Sequence, residues 1–274
     1  MGKIIAVCNQ KGGTGKTTTA INLSSFFALA NKRTLLIDMD PQGNASSGVG
    51  VIAKEGHSVY DVVMNNARAE DCFMLSRWPN LFVLPSDISL TGGEIELVNL
   101  DNREFRLREQ LTNIAKDFSY VVIDAPPSLG LLTVNVLAAA NSLVIPIQSE
   151  YYALEGVSKL MHTIDLIKSR INPALEIEGV LLTMADFRTR LSLQVIDEVR
   201  RFFKEKAFNT IIPRNIRLAE APSFGKPIFF YDPECVGTRA YAALAEEILK
   251  EKIELKPATK AEVPDPRLAM EVGE

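Results

Sequence analysis

Apolar runs of strand length recur at positions 3–8, 34–37, 81–84, 120–123, 142–147, 180–183 and 210–212, and segments of helical period separate them. Strands that alternate with helices bury both faces of a mostly parallel sheet, so an α/β fold with helices on both sides is expected. The first helix should run over 16–30, with Ala20, Leu23, Phe27 and Ala30 along the side that meets the sheet. Further helices are predicted over 60–64, 101–116, 128–140, 151–170, 190–206 and 233–252. Within 190–206 the period turns Leu191, Val195, Val199, Phe202 and Phe203 inward and leaves mixed charge outside. Most of 51–107 has no clear period and no assignable chemistry.

Between the first strand and the first helix stands Lys11-Gly12-Gly13-Thr14-Gly15-Lys16-Thr17-Thr18. A glycine-rich turn at such a junction lets successive backbone N–H groups converge on one anion, because no Cβ blocks the approach and the helix N-terminus adds partial positive charge. Lys16 is placed to reach the β- and γ-phosphates of a nucleotide, and Thr17 to offer its hydroxyl to Mg2+. The general P-loop pattern asks for glycine five residues before the Gly-Lys pair, where this chain has Gln10. In its place a second cation, Lys11, guards the mouth of the loop, and a simple cradle has no use for it. This arrangement resembles the deviant P-loop of the ParA/MinD family of ATPases. The resemblance implies the P-loop NTPase fold and the binding of ATP with Mg2+.

Two strands end in acidic groups. After the second comes Asp38-Met39-Asp40-Pro41-Gln42-Gly43-Asn44, at the carboxyl edge where open α/β sheets bind their ligands. Asp38 could hold a water on Mg2+, and Asp40 could orient an attacking water. The run Tyr120-Val121-Val122-Ile123-Asp124 fixes another carboxylate at a strand end, as a second metal contact beside the cradle requires. Asp-x-Asp-Pro-Gln-Gly-Asn resembles the switch segment of chromosomal ParA (Soj-like) proteins, in which the second Asp is associated with hydrolysis. By the same resemblance Pro213 and Arg214 open the adenine-side loop. Asp186-Phe187-Arg188-Thr189 and Asn215-Ile216-Arg217 likewise point to Arg188 and Arg217 for contact with non-specific double-stranded DNA.

Composition narrows the class without naming a partner. The formal charge is −4, yet between Arg188 and Arg217 eight basic residues stand against three acidic ones, a local +5 that leaves −9 elsewhere. Such a patch can bind a polyanion in a salt-dependent way, and a solvated helix face would look the same. Cys8, Cys72 and Cys235 are far apart and lack C-x-x-C spacing, so they read as reduced core residues and argue against a cluster-carrying relative. Neither His57 nor His162 has a partner that suggests catalysis. The chain enters a strand without a leader and has no apolar run of membrane-spanning length, which leads to the expectation of a cytoplasmic protein.

The likeness to chromosomal ParA/Soj covers about residues 1–250. It implies an ATP-dependent homodimer in which Lys11 reaches the partner's phosphates, as an arginine finger does. It further implies a nucleoid-associated switch that coats DNA and is released when a ParB-like protein stimulates slow hydrolysis. Spacing alone leaves open whether Lys11 acts in cis or in trans. An ATPase domain is expected over 1–252 and a Pro- and charge-rich flexible tail over 253–274. That tail does not read as the basic amphipathic membrane helix of a MinD-like ATPase. A P-loop amide or biotin-pathway ligase would need a substrate pocket that no motif announces. An ATPase that positions another cargo would share the same core motifs.

Overall fold

Successive residues of the first strand serve opposite sides of one sheet: Ile4, Ala6 and Cys8 enter one apolar core, while Ile5 and Val7 enter a second. The computed structural model describes residues 2–64, 66–150 and 153–255, with the backbone alone for 153–159. Its first half comprises β1 (Lys3–Val7), α1 (Lys16–Leu29), β2 (Thr34–Asp38), α2 (Asn44–Gly48), α3 (Val59–Val63), α4 (Ala69–Cys72), β3 (Met74–Leu75), β4 (Leu81–Leu84), α5 (Leu90–Leu97) and α6 (Arg106–Ile114). There follow β5 (Tyr120–Asp124), α7 (Leu131–Ala139), β6 (Ser142–Gln148), α8 (Ala153–Arg170), β7 (Glu176–Ala185), α9 (Arg190–Phe203), β8 (Ala207–Pro213), α10 (Ile216–Glu220), α11 (Ile228–Tyr231) and α12 (Val236–Leu249).

The strands lie in the order β3-β4-β2-β5-β1-β6-β7-β8. All pairs are parallel except β3 with β4. The carboxyl ends of the parallel strands therefore share one edge. Because the chain leaves β1 toward β2 on one side and later reaches β6 on the other, a topological switch point opens above β1. The expected mostly parallel sheet with helices on both faces is what the chain forms.

Each fully buried Leu, Ile, Val or Phe contributes about 1.5–3 kcal/mol, well above the propensity differences between ordinary helix residues. Packing therefore decides which segments are helical. In α1 even Thr19, Asn22, Ser24 and Ser25 are buried, because β1, β2 and β5 lie on one side and α12 on the other. Ser24 meets its polar need within the helix, donating to Ala20 O at 2.8 Å. The single apolar side expected for this helix is thus too narrow: nearly its whole circumference is core.

Other expectations need correction. In α9 the buried face is Ser192, Val195, Ile196, Val199 and Phe203, whereas Leu191 and Phe202 are 44% and 62% exposed. A true 3.6-residue period places those two on the flank. The helix predicted from 101 begins only at Arg106, after a turn in which Asn102 takes a φ of 53°. Strand β3, two residues long, and helices α2, α4 and α5 carried no periodic signal. Cys8 and Cys72 are buried as expected, but Cys235 is half-buried and caps α12, where its Sγ accepts from Thr238 N at 3.4 Å. Ile253 packs into the core, and residues 256–274, most of the expected tail, lie outside the described residues.

Candidate functional site

The loop after β1 is shaped by its own side chains. Asn9 Nδ2 donates to Pro146 O at 2.7 Å, and Asn9 Oδ1 accepts from Lys11 N at 3.2 Å, which fixes the start of the loop against β6. Gly13 and Gly15 hold φ values of 73° and 86°, conformations that a Cβ would strain, and Gly15 caps α1. The Lys16 ammonium donates to Lys11 O at 3.3 Å, and the Thr14 hydroxyl reaches the same carbonyl at 3.3 Å. From β7, Thr183 Oγ1 donates to Thr14 O at 2.8 Å. With those carbonyls engaged by side chains, the turn and the first turn of α1 form a backbone concavity suited to an anion. Burial pulls the Lys16 pKa down, while Asp124, Cys8 and Asp40 favour its charged form.

Below the cradle, Asp38 and Asp124 end adjacent strands in direct register. Their environments differ sharply. Asp38 Oδ2 accepts from Ser46 N at 2.8 Å and Ser46 Oγ at 2.7 Å, and Asp38 Oδ1 accepts from Asp40 N at 3.2 Å. Burial pushes Asp38 up to about 6 despite those donors, and the Asp40 charge adds to the rise. Asp124 is fully buried, and neither of its oxygens has a hydrogen-bond partner among the described residues. Its pKa is driven upward by burial and by Asp38. The Thr17 hydroxyl favours the ionised form without reaching hydrogen-bonding geometry, and Lys16 helps more weakly. Two unpartnered carboxylate oxygens facing a phosphate cradle are what a partly hydrated divalent cation can satisfy. Among the described residues no three His, Cys, Asp or Glu side chains cluster to hold an ion unaided. That fits Mg2+, which usually takes one or two carboxylates together with substrate phosphates.

Asp40 is buried at 9% exposure and its Oδ1 accepts from Gln42 N at 3.0 Å, so the loop after β2 is braced by its own carboxylates. Lys11 points elsewhere. Its Nζ lies 3.6 Å from Glu150 Oε2, and the other oxygen of Glu150 lies 3.7 Å from Arg214 Nη2. Pro213 and Arg214 border a cavity of about 290 Å³ whose walls include Gly15, Met184, Ile212, Leu218 and Tyr241. Tyr241 supports α1 from beneath, with its hydroxyl 3.1 Å from Thr19 Oγ1. Ser46, Glu150, Thr183 and Tyr241 escaped the sequence reading, because each acts through tertiary contact and belongs to no local motif.

Arg188 and Arg217 are both on the surface, but neither is a free cation. Arg188 makes two hydrogen bonds of 2.8 Å to Asp186, and Arg217 pairs with Glu220 at 2.9 Å and Asp232 at 3.4 Å. All three carboxylates fall outside the span over which a +5 excess was counted. The local positive potential is correspondingly smaller than that count implies.

Such an edge, with a glycine cradle at the switch point and acidic strand ends beside it, defines a P-loop nucleoside triphosphatase whose loop carries a second lysine. Comparison with known proteins narrows the class. Residues 2–177 match a family model described as an AAA domain. The chain is 53% identical over 253 residues to the chromosome partitioning protein ParA of Myxococcus xanthus, covering 91% of this chain and 89% of that one. It is 52% identical to the sporulation initiation inhibitor protein Soj of Bacillus subtilis, covering 90% and 98%. Among solved structures, cobyrinic acid a,c-diamide synthase from Mycobacterium smegmatis with bound ADP and magnesium aligns at a TM-score of 0.81 and 32% identity, over 91% and 95% of the two chains. The chain belongs to the ParA/Soj family of chromosome-partitioning ATPases. Among the described residues no helix is long and apolar enough to cross a membrane.

Proposed function

We propose that the protein is a nucleotide-operated DNA switch: it binds Mg2+-ATP in the cradle, dimerises, coats non-specific duplex DNA and leaves it after hydrolysis stimulated by a ParB-like partner. The observation that carries this reading is the division of labour between two lysines. Lys16 is buried in the loop, its ammonium donating to Lys11 O, whereas the Lys11 side chain is 40% exposed and its Nζ lies 3.6 Å from Glu150. A cation held outside its own cradle supports a role on the phosphates of a second subunit. Gly12, Gly13, Thr14, Gly15 and Thr18 would surround the phosphates, and Pro213 and Arg214 the base. Thr17, Asp38 and Asp124 would hold Mg2+, directly or through water, and the ion would supply charge neutralisation on the transferring phosphoryl group. Asp40, buried beside the cradle and fixed by its own loop, would orient the attacking water. Arg188 and Arg217 would meet DNA phosphates, and a ParA-type switch of this kind would work in the cytoplasm on the nucleoid.

The amide-forming class gains some support from the name of the 32%-identical solved relative. Identity of 53% to a chromosome partitioning protein favours the switch. The deciding experiment measures binding to a random-sequence duplex at low salt with ATP, ADP or no nucleotide. Tight binding with ATP alone is expected. Binding that ignores the nucleotide, or no binding in any state, overturns the proposal.

A further inference from the structure

The turn between β3 and β4 carries Arg77-Trp78, far in sequence from every motif above, and it grips two loops at once. Trp78 Nε1 donates to Val49 O at 3.0 Å, at the end of α2. Arg77 Nη2 donates to Gly225 O at 2.9 Å and to Phe224 O at 3.2 Å, in the turn that follows α10. The guanidinium lies 4.6 Å from the Trp78 ring centroid, and the Trp78 ring stacks on Phe230 at 4.3 Å. Trp78 is 2% exposed, so the clasp is anchored in the core.

The two gripped loops also touch each other directly. Gly50 and Gly225 hold φ values of 77° and 60°. A Cβ built on Gly225 would stand 2.9 Å from Gly50 Cα, and one on Gly50 would stand 3.1 Å from Gly225 O. The backbones meet with no room for a side chain, under the Arg77 guanidinium. Close by, Gly48 packs against Ile21 of α1 and Pro222 of the same turn.

These contacts join the two ends of the proposed switch. On one side, α2 begins right after the Asp38–Asp40 loop and is tied to Asp38 by both hydrogen bonds from Ser46. On the other, the 3-10 turn Ala221–Phe224 continues directly from α10, which carries Arg217. Any movement of α2 that follows nucleotide exchange at Asp38 must either carry that turn with it or break the clasp. Packed interfaces of this kind hold a few discrete arrangements and do not deform continuously.

We propose that Arg77 and Trp78 form a coupling clasp that makes the placement of Arg217, and with it DNA affinity, depend on the state of the nucleotide site. Arg77 and Trp78 are positioning residues, remote from both ligands. The inference rests on the DNA-switch reading, and its test separates the two.

Affinity for a random-sequence duplex is measured with ATP and with ADP for wild type, Arg77→Ala, Arg77→Lys and Trp78→Phe. Nucleotide affinity and ATP-dependent dimerisation are followed in parallel. Trp78→Phe keeps an aromatic ring beside Phe230 while it removes the N–H donor together with the second ring of the indole, and it serves if Arg77→Ala fails to fold. The expected result is that the ATP-to-ADP affinity ratio of wild type falls at least tenfold in Arg77→Ala and severalfold in Trp78→Phe, with nucleotide affinity and dimerisation kept. Arg77→Lys, which retains a donor, should recover part of the ratio. A ratio equal to wild type in folded variants overturns the clasp and leaves the switch standing. A wild type with no nucleotide-dependent binding removes both. Hydrogen exchange on the wild type gives an independent reading: amides of 44–51 and 216–225 should change protection together between ADP and ATP. A change confined to 44–51 overturns the coupling.

Discussion

Lys11 Nζ stands 3.6 Å from Glu150 Oε2 at the mouth of the cradle, while the Lys16 ammonium lies inside it, 3.3 Å from the Lys11 carbonyl. The ion pair is about half exposed on both partners, so its net contribution to stability is small, about 0–1 kcal/mol. Lys11 can leave Glu150 at little cost. Glu150→Gln should therefore melt within a few degrees of wild type. Lys11→Ala should bind ATP much as wild type does and fail to dimerise with it, as read by light scattering after gel filtration. A variant that still dimerises with ATP would remove Lys11 from any role across the interface.

The Asp38–Asp124 pair sets a pH dependence. Asp38 rises from an ordinary 3.8 to about 6, chiefly through burial, so at intermediate pH the folded state keeps a proton that the unfolded chain loses. Stability from this source is present in full below about pH 4 and is lost as pH rises to about 6, a change on the order of 3 kcal/mol. Asp124, raised by burial and by Asp38, adds a loss of the same sign as pH rises. Without nucleotide or metal, the protein should melt higher near pH 5 than near pH 7.5. Asp38→Asn should flatten that slope. Asp124→Asn should stabilise the nucleotide-free protein at pH 7.5 while abolishing Mg2+-dependent hydrolysis. Melting curves with unchanged pH slopes in both variants would show that these carboxylates are not the buried acids described.

The chain itself announced the cradle, because loop geometry there depends on consecutive residues: glycines at positive φ and a lysine at the helix start. It also announced the acidic strand ends, since strand and turn signals flank Asp38 and Asp124. It could not show that Asp38 is taken up by Ser46 while Asp124 has no hydrogen-bond partner among the described residues, because Ser46 sits on a five-residue helix with no periodicity. Nor could counting charges between Arg188 and Arg217 reveal neutralising carboxylates at Asp186, Glu220 and Asp232. Local rules reached the features that local geometry builds. The pairings that tune them come from elements brought together only by the fold.

Strand β8 lies at the edge of the sheet, and Glu247 of α12 closes part of it. Its carboxylate accepts from Asn209 N at 2.8 Å, Asn209 Nδ2 at 3.2 Å, Thr210 N at 3.0 Å and Thr210 Oγ1 at 2.8 Å. A charged acceptor serving two backbone donors is worth more than a neutral one, and its loss returns edge N–H groups to solvent. Glu247→Ala should cost about 1–3 kcal/mol in urea unfolding and leave ATP turnover unchanged. A smaller cost would mean that water replaces the carboxylate without loss.

Arg188 offers the sharpest test of the proposed DNA contact, because its partner is so well placed. Asp186 holds the guanidinium through two hydrogen bonds of 2.8 Å, and that contact keeps the Asp186 carboxyl down at about 2. At neutral pH the pair carries no net charge, so a DNA phosphate must compete with Asp186 for the same fork. Arg188→Ala should weaken binding to random duplex and lower the salt dependence by about one counterion. Asp186→Asn should do the reverse, strengthening binding severalfold with a steeper dependence on salt, because the cation is released while the loop keeps an amide acceptor for Arg188 N. Neither change touches the cradle, so ATP affinity should hold in both variants. If Asp186→Asn binds DNA no better than wild type while Arg188→Ala binds worse, the arginine contacts DNA with its carboxylate partner still attached. If neither variant differs from wild type, the DNA surface lies elsewhere.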